Sequence, residues 1–397
     1  MMTIGDQEAV DLLRYFDDLP DPRSHVNRHH PLGEVIVISI CAVISNADGP
    51  TAIARWAELN QPWLKKHLTL PHGTPGKDTI RRVLSSLEPL VFQRCFAQWL
   101  EMLREAEDEL HDGSDDDASN GAERTMRHVA IDGKTLRRSH DKKNGLGPLH
   151  MVSAWASDCG IALGQVATDE KSNEITAIPE LLKIIDVEDA MVTIDAAGCQ
   201  KNIARQIVQG KGDYVLALKS NQKKLFDQVR LILDCHMRDD FADCPVSRHV
   251  EVEQGHGRLE ARQYYQITAP SHLHGRSQWK GLKTIGVAVR TYEENGVEKT
   301  DARYYISSLR RNSKRFAAAV RRHWSVENTL HWCLDMTYRE DESRVRERRF
   351  AENLAWLRRM TLSLIKQHPG KDSNIMKRRM AGWNVDFLMQ ILTGKGV

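Results

Sequence analysis

Three carboxylates stand where a folding chain has little use for a charge. Asp132 ends the run Val129-Ala130-Ile131, and Asp195 ends Met191-Val192-Thr193-Ile194. Both runs are short, apolar and rich in β-branched residues, as buried strands are. Glu327 lies in the aromatic-rich stretch 321–332, whose apolar spacing is helical. Carboxylates at two strand ends, joined by one from a later helix, make an oxygen-rich site with open positions suited to Mg2+ or Mn2+. Two such ions can activate a water or a 3′-hydroxyl and stabilise the leaving oxygen of a phosphodiester. Each acid also has a plainer reading. Asp132 precedes a glycine, as turn residues do. Asp195 could cap a helix starting near Cys199. Glu327 could pair with Arg321 or Arg322 at the surface, and Asp335 is a rival third carboxylate.

Helical spacing puts Trp324, Glu327, His331 and Leu334 on one face, with Trp324 and Leu334 as core contacts and Glu327 beside apolar surface. Trp332 is likewise expected in the core. His323 and His331 lack the HExxH arrangement of a zinc site, so they are expected to contact DNA or water, or to pack inside.

The elements that must position these residues follow from the pattern. Residues 1–105 read as a small helical domain with possible DNA contacts. The apolar run 32–45 is expected as a buried helix, and Asp78 or Thr79 as the cap of a helix opening with Arg81 and Arg82. Residues 106–127, acidic and nearly free of large apolar side chains, read as a flexible linker. Three strands follow, then helix, strand, helix, strand, an α/β order that makes a mixed sheet with the first and fourth strands as neighbours. This is the strand order of the RNase H-like fold. A β-rich insertion is expected at about 245–308, inside a catalytic domain of 128–366. Residues 367–397 are expected as a C-terminal tail, ending in a short helix.

Composition narrows the class. The chain has 397 residues and a net charge of only +2, yet acids concentrate near 105–117 and bases at 310–379. That asymmetry points to a polyanionic partner for the C-terminal half. Lys134, Arg137 and Arg138 lie just past Asp132, and Lys219, Lys223 and Lys224 follow the fifth strand. With Arg344, Arg346, Arg358 and Arg359 they are candidates for a phosphate-binding surface. Seven cysteines without a CxxC pair suit reduced thiols and a cytoplasmic protein. The longest apolar stretch is about half of what a bilayer needs, so no membrane partner is expected.

The strings IDGKTLRRS, VTIDAAGCQKNIARQIVQGKGDYVLALKSNQ and RRHWSVENTLHWCLDMTYRED resemble DDE transposases of bacterial insertion sequences, in the group that includes the H-repeat-associated proteins. The stretch from YFDDLPDPR through GTPGKDTIRRVLSSLEP resembles the helical domain of that group. The resemblance implies an RNase H-like catalytic domain interrupted by a β insertion. It also implies metal-dependent nicking of transposon ends and strand transfer into target DNA. It carries the family's acids onto Asp132, Asp195 and Glu327, separated by 195 − 132 = 63 and 327 − 195 = 132 residues. Where the broader superfamily has an Arg and a Lys around its Glu, this chain has His323 and Leu334, leaving Arg321 and Arg322 as candidate phosphate clamps. Pairing two DNA ends calls for at least two active sites, so a dimer on DNA is expected. The alternatives are a structure-selective nuclease on the same fold and a DNA-binding relic or regulator with its metal site unused.

Overall fold

The computed structural model describes residues 13–99, 126–168, 173–255, 258–294 and 297–394. The expected linker lies outside these residues except at positions 126 and 127.

The anticipated order is present. β1 (Arg127–Thr135), β2 (His150–Ala156) and β3 (Ile161–Thr168) are followed by the helix Glu174–Leu181, β4 (Ala190–Ile194), the helix Lys201–Gln209 and β5 (Asp213–Leu218). β1, β2 and β3 form an antiparallel meander, and β4 and β5 add in parallel beyond β1. A helix at Lys223–Arg238, which the sequence reading did not single out, buries Leu225, Val229 and Leu233 at four-residue spacing.

The β-rich segment extends the main sheet. β6 (Val246–Gly255), β7 (Arg258–Thr268), β8 (Thr284–Glu294) and β9 (Val297–Ser307) form a second antiparallel meander, and β9 pairs with β5 from Val215↔Ser307 to Leu218↔Tyr304. One nine-stranded mixed sheet results, in the order β3-β2-β1-β4-β5-β9-β8-β7-β6. This is a mixed α/β architecture of RNase H-like type with a helical N-terminal region.

Side chains alternate across the pleat, which decides where the acids point. Val129 and Ile131 of β1, with Val192 and Ile194 of β4, pack against the helices Glu174–Leu181 and Lys201–Gln209. Ala130 and Met191 face the other way, Met191 against Phe316, Ala319 and Val320 of the helix Ser313–Val326. Asp132 and Asp195 continue the second set, so both face the layer that carries Glu327.

The long helix Arg348–Gln367 is buried nearly all round because it is a middle layer. On one side Trp356 meets Phe96 edge-on at 5.7 Å, and the Asn353 amide donates to the carbonyls of Leu84 and Leu87. On the other, Arg359 Nε donates to Ser153 Oγ of β2. The helix Leu32–Ile44 is buried as expected, but the helix Lys77–Ser86 has Gly76 as its cap, with Asp78 in its first turn. The segment expected as a tail forms two helices, Asn374–Trp383 and Val385–Thr393. Arg378 ties the first of them to the Val43 carbonyl, its guanidinium lying 4.1 Å from the Tyr338 ring centroid. No helix among the described residues is long and apolar enough to cross a membrane.

Candidate active site

β1 and β4 run parallel in register from Arg127↔Ala190 to Ile131↔Ile194. The offset is 194 − 131 = 63, the same as 195 − 132, so Asp132 and Asp195 are the next step along the two neighbouring strands. Asp132 is a residue of β1, which runs on to Thr135, and is not the turn residue that Asp-Gly suggests. Asp195 Oδ1 accepts from the backbone N–H groups of Ala197 (2.9 Å) and Gly198 (3.3 Å), a turn that fixes one carboxylate oxygen. The helix that follows begins at Lys201 with Gln200 at its cap, so Asp195 does not cap it.

Glu327 arrives by an irregularity. The helix Ser313–Val326 passes into a π turn at Glu327–His331, closed by a hydrogen bond from Trp332 N–H to the Glu327 carbonyl. The wider turn keeps residues four apart on one side. His331 Nδ1 lies 3.6 Å from Asp132 Oδ2 and 3.6 Å from Glu327 Oε2. One ligand atom from each of Asp132, Glu327 and His331 falls within 4.8 Å of the other two. Asp195 is outside that group but lines the same cleft of about 530 Å³ with Asp132 and Glu327.

Two expectations around Glu327 fail. Trp324 and Trp332 are exposed, at 45% and 57%, and only Leu334 is core. The Glu327 carboxylate is two-thirds exposed, so it is not held against apolar surface. Trp324, ahead of the π turn, lines the cleft together with Glu327, so this part of the helix forms a cleft wall and not a core contact.

Electrostatics mark Asp132. Burial pushes its carboxyl up to about 7, with Asp195, Glu327 and Glu174 adding in the same direction and the Gly133 N–H opposing. Like charges this close call for a proton or a cation, and the donor set fits a divalent ion. Asp335, the rival third acid, faces elsewhere, with Oδ1 2.7 Å from Lys134 Nζ.

The expected phosphate-binding residues divide. Lys134 is buried and held between Asp335 and Asp341 (3.0 Å), so it is a clamp between β1 and the segment after Glu327 and presents no charge to solvent. Arg358 and Arg359 are buried as well, Arg359 against Glu340 at 3.0 Å. His323 turns its Nδ1 to Thr193 Oγ1 at 3.1 Å, and burial lowers its pKa to about 4. A neutral ring cannot stand in for the family's arginine as a charged clamp. Arg321 is occupied by Glu253 and Glu251, and Arg322 by Asp158 at 2.6 Å. Arg137, Arg138, Lys219, Lys223, Lys224, Arg344 and Arg346 are exposed. Of these, Arg137 pairs with Asp341 and Lys223 with Asp227, and surface pairs of that kind yield readily to a polyanion. Lys219 lines the cleft.

Arg303 of β9 went unremarked in the sequence. Its guanidinium lies 3.8 Å from the Trp324 ring centroid, and it lines both the cleft and an adjoining groove that also contains Glu327. Only the β5–β9 pairing reveals it, and no local pattern predicts that pairing.

A site of this form on this sheet defines a class. The family described as “Transposase DDE domain” matches residues 123–364, and that described as “DDE_Tnp_1-associated” matches residues 13–100. The chain belongs to the DDE transposase family. Among its relatives, “Putative transposase YncI” of Escherichia coli O157:H7 is 36% identical over 96% of this chain and 94% of its own length. “H repeat-associated putative transposase YhhI” of Escherichia coli (strain K12) is 34% identical over 98% of this chain and all of its own.

Proposed function

We propose that this chain is an active DNA transposase that nicks the ends of an insertion sequence and joins them to target DNA, with Asp132, Asp195 and Glu327 holding one or two Mg2+ or Mn2+ ions. The observation that carries this reading is the convergence of three carboxylates, from two adjacent parallel strands and a π turn, on one cleft. A divalent cation bound there would supply charge stabilisation at the scissile phosphate and a more acidic attacking hydroxyl.

The protein's own residues orient and exclude. The Ala197 and Gly198 N–H groups fix one oxygen of Asp195 and leave the other for the cation. The Lys134 clamp to Asp335 and Asp341 holds β1 against the chain that follows Glu327. Lys219 and Arg303 at the cleft would take backbone phosphates, with Arg137, Arg138, Lys223, Lys224, Arg344 and Arg346 as the wider phosphate-contacting surface. Dimerisation on paired ends and a cytoplasmic, nucleoid-associated location complete the proposal.

Cleavage of DNA carrying the element's own ends tests it. Asp132→Ala, Asp195→Ala and Glu327→Gln should each lower Mg2+-dependent nicking by about 10³-fold or more, several kcal/mol of transition-state stabilisation, while mobility-shift binding persists. Asp335→Asn should retain most of the nicking. Undiminished nicking by the Asp132 variant would sink the assignment. Nicking without strand-transfer products would instead make the protein a nuclease, and DNA binding without nicking by the natural chain a relic.

A further inference from the structure

His331 is the residue at this site whose position the three-carboxylate reading leaves unexplained. It is only 8% exposed, it lies in the π turn one helical step beyond Glu327, and its Nδ1 is 3.6 Å from a carboxylate oxygen on either side. Those separations exceed hydrogen-bond length. Among the described residues Nε2 has no hydrogen-bond partner, and Nδ1 is within ion-pair distance of both carboxylates. A buried imidazole thus places Nδ1 between two carboxylates, with one ligand atom of each of the three residues within 4.8 Å of the others. Atoms that share a cation at about 2.1 Å lie roughly 3.0–3.5 Å apart, close to the 3.6 Å found on either side of Nδ1.

We propose that His331 is a direct ligand, through Nδ1, of a divalent cation shared with Asp132 and Glu327, and that this nitrogen tilts the site toward Mn2+ over Mg2+. It rests on the reading that these carboxylates hold a cation. Mg2+ takes oxygen donors and keeps its waters, whereas imidazole suits the transition ions. With Nδ1 engaged, the ring proton resides on Nε2. The π turn has a role in this arrangement, because it brings residues 327 and 331 to one ion together.

Electron paramagnetic resonance of Mn2+ added to the full chain tests the proposal without any assay of activity. The expected result is a nitrogen modulation on the bound Mn2+ that changes when histidine is supplied as the 15N form, and that His331→Gln abolishes while His323→Gln leaves it. Mn2+ affinity in His331→Gln should fall by about tenfold or more, and Mg2+ affinity by less. Bound Mn2+ without histidine nitrogen coupling, with binding lost in Asp132→Asn, would overturn the ligand assignment and leave the carboxylate site standing. A coupling that survives in His331→Gln would overturn it too. Absence of Mn2+ binding by the natural chain would remove the carboxylate reading and this proposal together. The isotope comparison needs no variant, so it holds even if His331→Gln does not fold.

Discussion

At the scale of single residues, the informative contrast is between buried acids that serve the fold and those that do not. Glu34, 5% exposed within an apolar helix, accepts from Thr69 N–H (2.8 Å), Thr69 Oγ1 (2.6 Å) and the Leu70 N–H. Glu340 accepts from Arg359 at 3.0 Å. Each is compensated by donors, as a structural carboxylate must be. Asp132 has one backbone donor and other carboxylates as neighbours, so its charge is not compensated as theirs is. Glu352 lies between these cases. Burial pushes its carboxyl up to about 7, opposed by the Ala167 N–H, raised further by Glu88 and lowered by Arg349. Unfolded, it would titrate at 4.5. The folded state therefore binds the extra proton between those values, and its contribution is complete below about pH 4.5 and lost as pH rises through about 7. Glu352→Gln should leave stability nearly unchanged at pH 4.5 and raise it at pH 8 by up to about 3 kcal/mol, less whatever water reaches the group. Denaturant unfolding at the two pH values checks this, and equal effects at both would refute it.

At the scale of elements, what could be read from the sequence was local. The β-branched runs before Asp132 and Asp195 announced β1 and β4, and the strand order made them neighbours. The π turn was not legible, since its extra residue per turn leaves no mark on a 3.6-residue period, and Trp324 was misassigned to the core because the cleft it lines exists only where β9 joins β5. Lys134 read as a surface base because its partners Asp335 and Asp341 lie some two hundred residues away. The continuity of the sheet through β9 was hidden for the same reason. Gly133 shows how tightly β1 is enclosed. A Cβ there would run into Glu174 Oε1 and His150 Nε2, which pair with each other at 2.6 Å behind the strand. Gly133→Ala should destabilise the protein by roughly 1–3 kcal/mol through overpacking. Adding Glu174→Ala should make the double variant less unstable than the sum of the single effects. Strict additivity in chemical denaturation would show that the clash is not the cause.

At the scale of the whole molecule, the two matched family segments share an apolar core among the described residues. A single apolar core runs from Phe16 and the helix Leu32–Ile44 through Trp356 and Leu362 to Leu388 and Leu392. The helix Arg348–Gln367 contributes to both sides of it, so removing the N-terminal helices would strip one face of the layer that backs β2 and β3. This has a functional side. Arg81 and Arg82 are exposed on a helix whose buried Ile80, Val83 and Leu84 share a core with the helix Arg348–Gln367, so a DNA contact there would be tied by packing to the half that carries the cleft. A protease site introduced between Asp117 and Ala118 discriminates this arrangement from two tethered domains. After cleavage the two pieces should co-elute on gel filtration in native buffer and unfold in one transition, because buried apolar surface holds them together. The piece beginning at residue 118, made alone, should aggregate or expose apolar surface to a hydrophobic dye. Pieces that separate without denaturant, with the C-terminal piece still cooperatively folded, would show that the shared core contributes little and that the N-terminal helices move independently of the active site.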